Sequence, residues 1–164
     1  MIEKTRKICM LGDFAVGKTS LVARFVTHAF SDKYLTTVGV KIDTRLISID
    51  EQSIKLVLWD IAGKNALDGV KLSYLRGAHG LILVADGTRE ATLKSALFLL
   101  NQARTEIGSV PAVLMANKFD RIDDWEITPN ALTEVRKSLS VFESSASTGE
   151  GVDAAFSSLT RRVL

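Results

Sequence analysis

Gly12-Asp13-Phe14-Ala15-Val16-Gly17-Lys18-Thr19 stands directly after the apolar run Lys7 to Leu11 and directly before a segment of helical period. The octet matches GxxxxGK[S/T] between a strand and a helix, which is the setting of a phosphate-binding loop. In such a loop the backbone N–H groups and the N-terminus of the next helix surround phosphate oxygens, so Gly12 to Gly17 form the cradle. Lys18 is placed to neutralise the terminal oxygens, the Thr19 hydroxyl to ligate Mg²⁺, and Ser20 completes the first turn of the helix.

Outward from this loop, short runs rich in β-branched residues alternate with longer segments of helical period, the pattern of an α/β fold around a mainly parallel sheet. The runs predict six strands, at Lys7–Leu11, Val40–Ile49, Ser53–Asp60, Leu81–Asp86, Ala112–Asn117 and Val141–Glu143. Five helices are predicted at Lys18–His28, Ala66–Arg76, Thr92–Ile107, Pro129–Leu139 and Val152–Leu164, the fourth starting at the Thr128-Pro129 cap signal. Only Asp50, Glu51 and Gln52 separate the second and third strands, too few for a parallel crossover, so that pair must be an antiparallel hairpin in a mixed sheet. Ligands of such sheets bind beyond the carboxyl ends of the strands, which directs attention to the residues after Leu11, Asp60, Asp86, Asn117 and Glu143.

The 164 residues suit one domain spanning 1–164, and 46% hydrophobic with 24% charged residues is globular composition. Lys and Arg number 21 against 19 Asp and Glu, a balance that argues against nucleic acid as a partner. Cys9 is the sole cysteine, so an internal disulfide or a multi-thiolate metal site is excluded and a buried thiol in a reducing, cytoplasmic setting is expected. The polar Met1 to Lys7 stretch and the absence of about 18 consecutive apolar residues speak against a signal peptide or a spanning helix.

Two further motifs fall at the strand ends. Trp59-Asp60-Ile61-Ala62-Gly63 puts an acid beside the phosphate loop, where it can hold a metal through its hydration shell, and a glycine whose N–H can approach a terminal phosphate. Asn117-Lys118-Phe119-Asp120 is an NKxD element. The Asp120 carboxylate accepts from both the ring N1–H and the exocyclic amine of guanine, a donor pair that adenine lacks at that edge. Asn117 would tie the loop to neighbouring segments and the Lys118 stem would lie across the base. Ser145-Ala146-Ser147 after the last strand would supply a backbone N–H to the guanine carbonyl oxygen.

Taken in order, phosphate loop, DxxG, NKxD and SA loop make the chain resemble a small GTPase of the Ras superfamily over essentially its whole length. Phe30 followed by Tyr34-Leu35-Thr36-Thr37-Val38-Gly39-Val40, and Tyr74-Leu75-Arg76-Gly77-Ala78-His79-Gly80, are most similar to the switch patterns of the Rab branch. The resemblance implies that Thr37 ligates Mg²⁺ and senses the terminal phosphate, that Phe30 packs edgewise on guanine, and that Tyr34 closes over the phosphates. It also implies GTP or GDP as ligand, and effectors and regulators reached through the switch segments.

The chain departs from that pattern at several positions. After DxxG the family usually carries a glutamine that orients the attacking water, whereas Lys64 has donors only. Phe14 and Ala15 occupy positions that are usually small, and a phenyl ring at Phe14 would crowd the water and an arginine supplied in trans. Both changes imply slow hydrolysis, with Asn65 as an alternative orienter of water. Ser147 replaces a base-stacking lysine, Ile42 replaces an effector-facing phenylalanine, and the chain ends Arg161-Arg162-Val163-Leu164 without the cysteine of a prenylation signal, so no lipid anchor is expected from these residues. Two readings stay open: a slow GTP-hydrolysing switch, in which Lys18, Thr37, Gly63 and Lys64 serve the reaction, and a non-catalytic module that holds GTP or GDP. An ATP-dependent enzyme is disfavoured by Asp120.

Overall fold

The computed structural model describes residues 3–26, 34–35, 40–62 and 67–164. The described residues form seven strands, β1 (Glu3–Gly12), β2 (Tyr34–Leu35), β3 (Val40–Ile49), β4 (Gln52–Ile61), β5 (Gly80–Asp86), β6 (Ala112–Asn117) and β7 (Ser140–Glu143). The helices are α1 (Lys18–Val26), α2 (Gly69–Ser73), α3 (Ala91–Ile107), α4 (Pro129–Arg136) and α5 (Val152–Arg162), with a 3-10 turn at Ile122–Asp124. All six expected strands are present in one sheet of order β2-β3-β4-β1-β5-β6-β7, and the two-residue β2 adds a seventh at its edge.

Strands β4, β1, β5, β6 and β7 run parallel, while β3 is antiparallel to both β2 and β4. The β3–β4 hairpin closes with Ile49 opposite Gln52, and both intervening residues have positive φ, 49° at Asp50 and 66° at Glu51. That is the mirror-image turn whose twist matches a two-residue hairpin. Its register places Lys41 opposite Asp60, bringing the acid of the DxxG motif to the ligand-binding edge.

Period-2 alternation divides the core between the two faces of the sheet. On one, Cys9, Leu11, Leu81, Leu83 and Ala85 pack against Leu93, Ala96, Leu99 and Leu100 of α3 and Leu132 of α4. On the other, Ile8, Met10, Ile82 and Val84 pack against Leu21, Val22 and Phe25 of α1 and Val152, Phe156 and Leu159 of α5. The Cys9 thiol is buried as expected, and burial, eased slightly by the Lys7 charge, pushes it up to about 12, well out of the nucleophilic range.

Helix boundaries differ from expectation where local hydrogen bonds compete. The Thr128 hydroxyl accepts from Ala131 N at 3.1 Å, so the start of α4 is as read. Helix α2 was expected over Ala66–Arg76 and is only five residues long. Asp68 caps it by accepting from Lys71 N at 2.9 Å. The preceding Leu67 is held out of the helix by Gln102 of α3, whose Oε1 accepts from Leu67 N and whose Nε2 donates to Leu67 O, each at 2.9 Å. Helix α4 stops at Arg136 instead of Leu139, and α5 at Arg162. For α1, the expected residues 27–28 lie outside the described residues. No helix among the described residues is long and apolar enough to cross a membrane.

Phe25 and Phe156 stack at 3.9 Å with an interplanar angle of 5°, joining the last turn of α1 to α5. Phe156 is 1% exposed, so Phe156→Ala is expected to cost about 3–5 kcal/mol, measurable as a lowered midpoint in urea unfolding.

Candidate nucleotide site

The loop from Gly12 to Thr19 joins the end of β1 to the first turn of α1, and its path is set by two close approaches. A Cβ at Gly12 would lie 2.6 Å from the Val84 carbonyl oxygen. At Gly17 the φ of +100° and a Cβ position 2.3 Å from Asn117 Nδ2 leave room for glycine alone. Asn117, 2% exposed at the end of β6, donates from Nδ2 to Val16 O at 2.9 Å and accepts at Oδ1 from the Ser144 hydroxyl at 3.4 Å. It therefore ties the NKxD strand to the phosphate loop, as its sequence role required.

The chemical groups of the loop converge on Asp60. The Thr19 hydroxyl donates to Asp60 Oδ2 at 2.6 Å, and Lys18 Nζ lies 3.9 Å from Oδ1 and 3.4 Å from Gly12 O. Burial lowers the Lys18 pKa, with Asp60 and Asp13 opposing the shift. A buried ammonium with incomplete local partners is suited to meet an anion. A hydroxyl and a carboxylate presented side by side are hard oxygen donors of the type Mg²⁺ takes alongside phosphate and water. Thr19 and Asp60 thus fit the ion.

A cleft of about 560 Å³ opens over these groups, lined by Phe14, Ala15, Gly17, Lys18, Thr19, Ser20, Lys41, Asp60, Ala62 and Lys118. A second of about 370 Å³ adjoins it, sharing Gly17, Ser20 and Lys118 and adding Asn117, Asp120, Arg121, Ala146 and Ser147. The phosphate and base elements therefore line adjoining clefts with three residues in common. Phe14 stands 70% exposed at its mouth.

In the smaller cleft, Asp120 accepts from the Ser145 hydroxyl at 2.7 Å, and that hydroxyl also accepts from Thr148 N at 3.1 Å. Ser145 N donates to Glu150 O at 2.9 Å, so its N–H is committed within the loop. The Ser145 hydroxyl thus orients the Asp120 carboxylate, and Ala146 and Ser147 are the members of the SA loop that line the cleft. Lys118, itself at φ 70°, donates to Ala15 O at 3.2 Å and pairs with Asp86 at 2.8 Å.

Asp86 at the end of β5 is fully buried. Its Oδ1 accepts from the N–H and hydroxyl of Thr88 at 2.9 and 2.7 Å, and Oδ2 meets Arg89 Nε at 3.0 Å as well as Lys118. Burial pushes this carboxyl up, but Lys118, Thr88 and Arg89 outweigh it and hold the pKa down to about 2. Sequence reasoning marked the end of this strand without assigning Asp86 a role, because the link it makes to the phosphate loop runs through Lys118, 32 positions away, and through the reach of Arg89 to Phe14 O, neither of which is visible in local pattern. It also passed over Arg89, Ser95, Lys41 and Arg121, whose positions follow from topology. The expected roles of Phe30, Thr37, Gly63, Lys64 and Asn65 fall outside the described residues, as does the side chain of Tyr34.

A phosphate loop, a metal-compatible Thr–Asp pair and an exposed carboxylate in the adjoining cleft are the features of a nucleotide-binding domain of the phosphate-loop class. Residues 7–164 match the Ras family, and the chain belongs to that family, whose GTPases bind GTP and GDP with Mg²⁺. It is 37% identical over 164 residues to Ras-related protein Rab-18-B of Danio rerio, covering 98% of this chain and 80% of that protein. Identity to Ras-related protein Rab-1C of Dictyostelium discoideum is 36% over 155 residues, 92% of this chain and 76% of the relative. GTP-binding protein ypt1 of Schizosaccharomyces pombe is 31% identical over 160 residues, 96% and 79% respectively.

Because the Asp86 carboxyl is held below its ordinary 3.8, its contribution to folding is complete above about pH 4 and is lost as pH falls through 2. Asp86→Asn is expected to cost about 2 kcal/mol at pH 7, with the gap to wild type closing near pH 2, as followed by denaturant unfolding across that range.

Proposed function

We propose that this chain is a guanine-nucleotide switch that hydrolyses GTP slowly to GDP and phosphate. The observation that carries the reading is the hydrogen bond from Asn117 Nδ2 to Val16 O. It ties the strand that leads to Asp120 to the loop that presents Lys18, and the clefts over the two adjoin through Gly17, Ser20 and Lys118.

In this reading Asp120 accepts from the N1–H and amine of guanine, and adenine leaves the carboxylate without donors. Lys18 neutralises the terminal phosphate oxygens while the loop N–H groups bind the inner ones. Thr19, Thr37 and, through water, Asp60 hold Mg²⁺, which when bound offsets phosphate charge. Thr37 and Gly63 respond to the presence of the terminal phosphate, and effectors and regulators in the cytoplasm read that response. Lys64, with donors only, does not orient water as a glutamine does. Phe14 at the mouth of the cleft narrows access for an arginine supplied by a partner, a group worth roughly 10³–10⁵ in rate elsewhere.

Single-turnover hydrolysis tests the reading. Protein loaded with GTP and Mg²⁺ is expected to convert it over hours, and Lys64→Gln to do so faster; an unchanged rate removes Lys64 as the cause of slowness. GTP that stays intact in both forms replaces the switch with a nucleotide-holding module. Asp120→Asn should move preference from guanine to xanthine nucleotides in competition binding, and undiminished GTP selectivity refutes the base-reading role.

A further inference from the structure

Arg89 lies just before α3 and lines neither cleft, yet it reaches the phosphate loop. Its Nε lies 3.0 Å from Asp86 Oδ2 and its Nη2 donates to Phe14 O at 2.8 Å. The next carbonyl, Ala15 O, accepts from Lys118 Nζ at 3.2 Å, and Lys118 pairs with the same Asp86 carboxylate. Two consecutive loop carbonyls are therefore held by two cations anchored on one buried acid. A third tie runs from the Ser95 hydroxyl of α3 to Asp13 Oδ2 at 3.3 Å, while Asp13 Oδ1 accepts from Phe14 N at 2.7 Å.

A trans peptide is planar, so a carbonyl and the following N–H point in opposite directions. Holding Phe14 O toward α3 turns Ala15 N–H the other way, and Ala15 lines the larger cleft. Ala15 sits at φ 61°, a region a non-glycine residue enters only when its surroundings impose it. With alanine in this place the loop has an intrinsic tendency to relax, and the Arg89 contact opposes it.

We propose that Arg89 is a positioning residue of the phosphate site, aiming the Ala15 N–H at the bound phosphates by holding the Phe14 carbonyl from behind. The role rests on the nucleotide reading above. It depends on the reach of a guanidinium: one nitrogen stays on Asp86 while another meets the carbonyl, a span that a single ammonium does not cover.

The test is release of a fluorescent GDP from the full chain with Mg²⁺, for wild type, Arg89→Ala and Arg89→Lys. Both variants are expected to release about tenfold faster, the loss of one hydrogen bond from a charged donor, with circular dichroism unchanged and the Ala15 amide resonance of the GDP-bound form displaced. Arg89→Lys keeps a positive charge beside Asp86, so it serves if Arg89→Ala fails to fold. Release from Arg89→Lys at the wild-type rate means that charge alone suffices and overturns the proposal. Wild type that retains GDP while neither variant releases it faster overturns the clamp and leaves the nucleotide site intact. Wild type that retains no GDP overturns the nucleotide reading itself, and the clamp with it.

Discussion

The site depends on how closely the end of β6 approaches the phosphate loop. With a Cβ at Gly17 destined to fall 2.3 Å from Asn117 Nδ2, nothing larger than hydrogen fits between the two segments. Close contact allows the Asn117 amide to bond Val16 O, and this bond fixes the distance between the loop that carries Lys18 and the strand end that leads to Asp120.

Three acids near that edge of the sheet do three different kinds of work, distinguished by their partners. Asp60 is buried and shared between a hydroxyl and an ammonium, which leaves it able to redistribute its bonds when a divalent ion and phosphates arrive. Asp86 is saturated by Lys118, Arg89 and Thr88, and a carboxylate so fully bonded is structural even though its partner Lys118 lines both clefts. Asp120 is exposed and bonded by a single serine hydroxyl, so it is oriented but keeps acceptor capacity for a ligand. The same chemical group thus keeps more or less acceptor capacity to spare according to what surrounds it.

Most of this architecture was legible because it is written in short-range patterns. The six longer strands announced themselves through β-branched runs, and the three-residue spacing after Ile49 forced the antiparallel hairpin. Asn117 and Asp120 could be assigned because their motif lies at a strand end. Helix α2 was misread because Gln102, 35 residues away, holds the backbone of Leu67 against the helical pattern. The same limit hid Arg89 and Ser95: hydrogen bonds to a loop 75 and 82 positions distant leave no trace in local periodicity. Ser145 shows an intermediate case, since the Ser145-Ala146-Ser147 segment lies at the smaller cleft while the distribution of its donors depends on a bond to Glu150.

The position of β5 in the sheet implies an uneven distribution of stability across the molecule. All seven of its residues are buried, and it is bonded to β1 on one side and β6 on the other. Amides in such a strand exchange with solvent only when the whole domain opens. At the far edge, among the described residues, β2 contributes two residues paired with β3, against ten in each of β3 and β4. The domain is in effect a stiff spine with a light margin, and the margin is the side on which Lys41 and Asp60 meet.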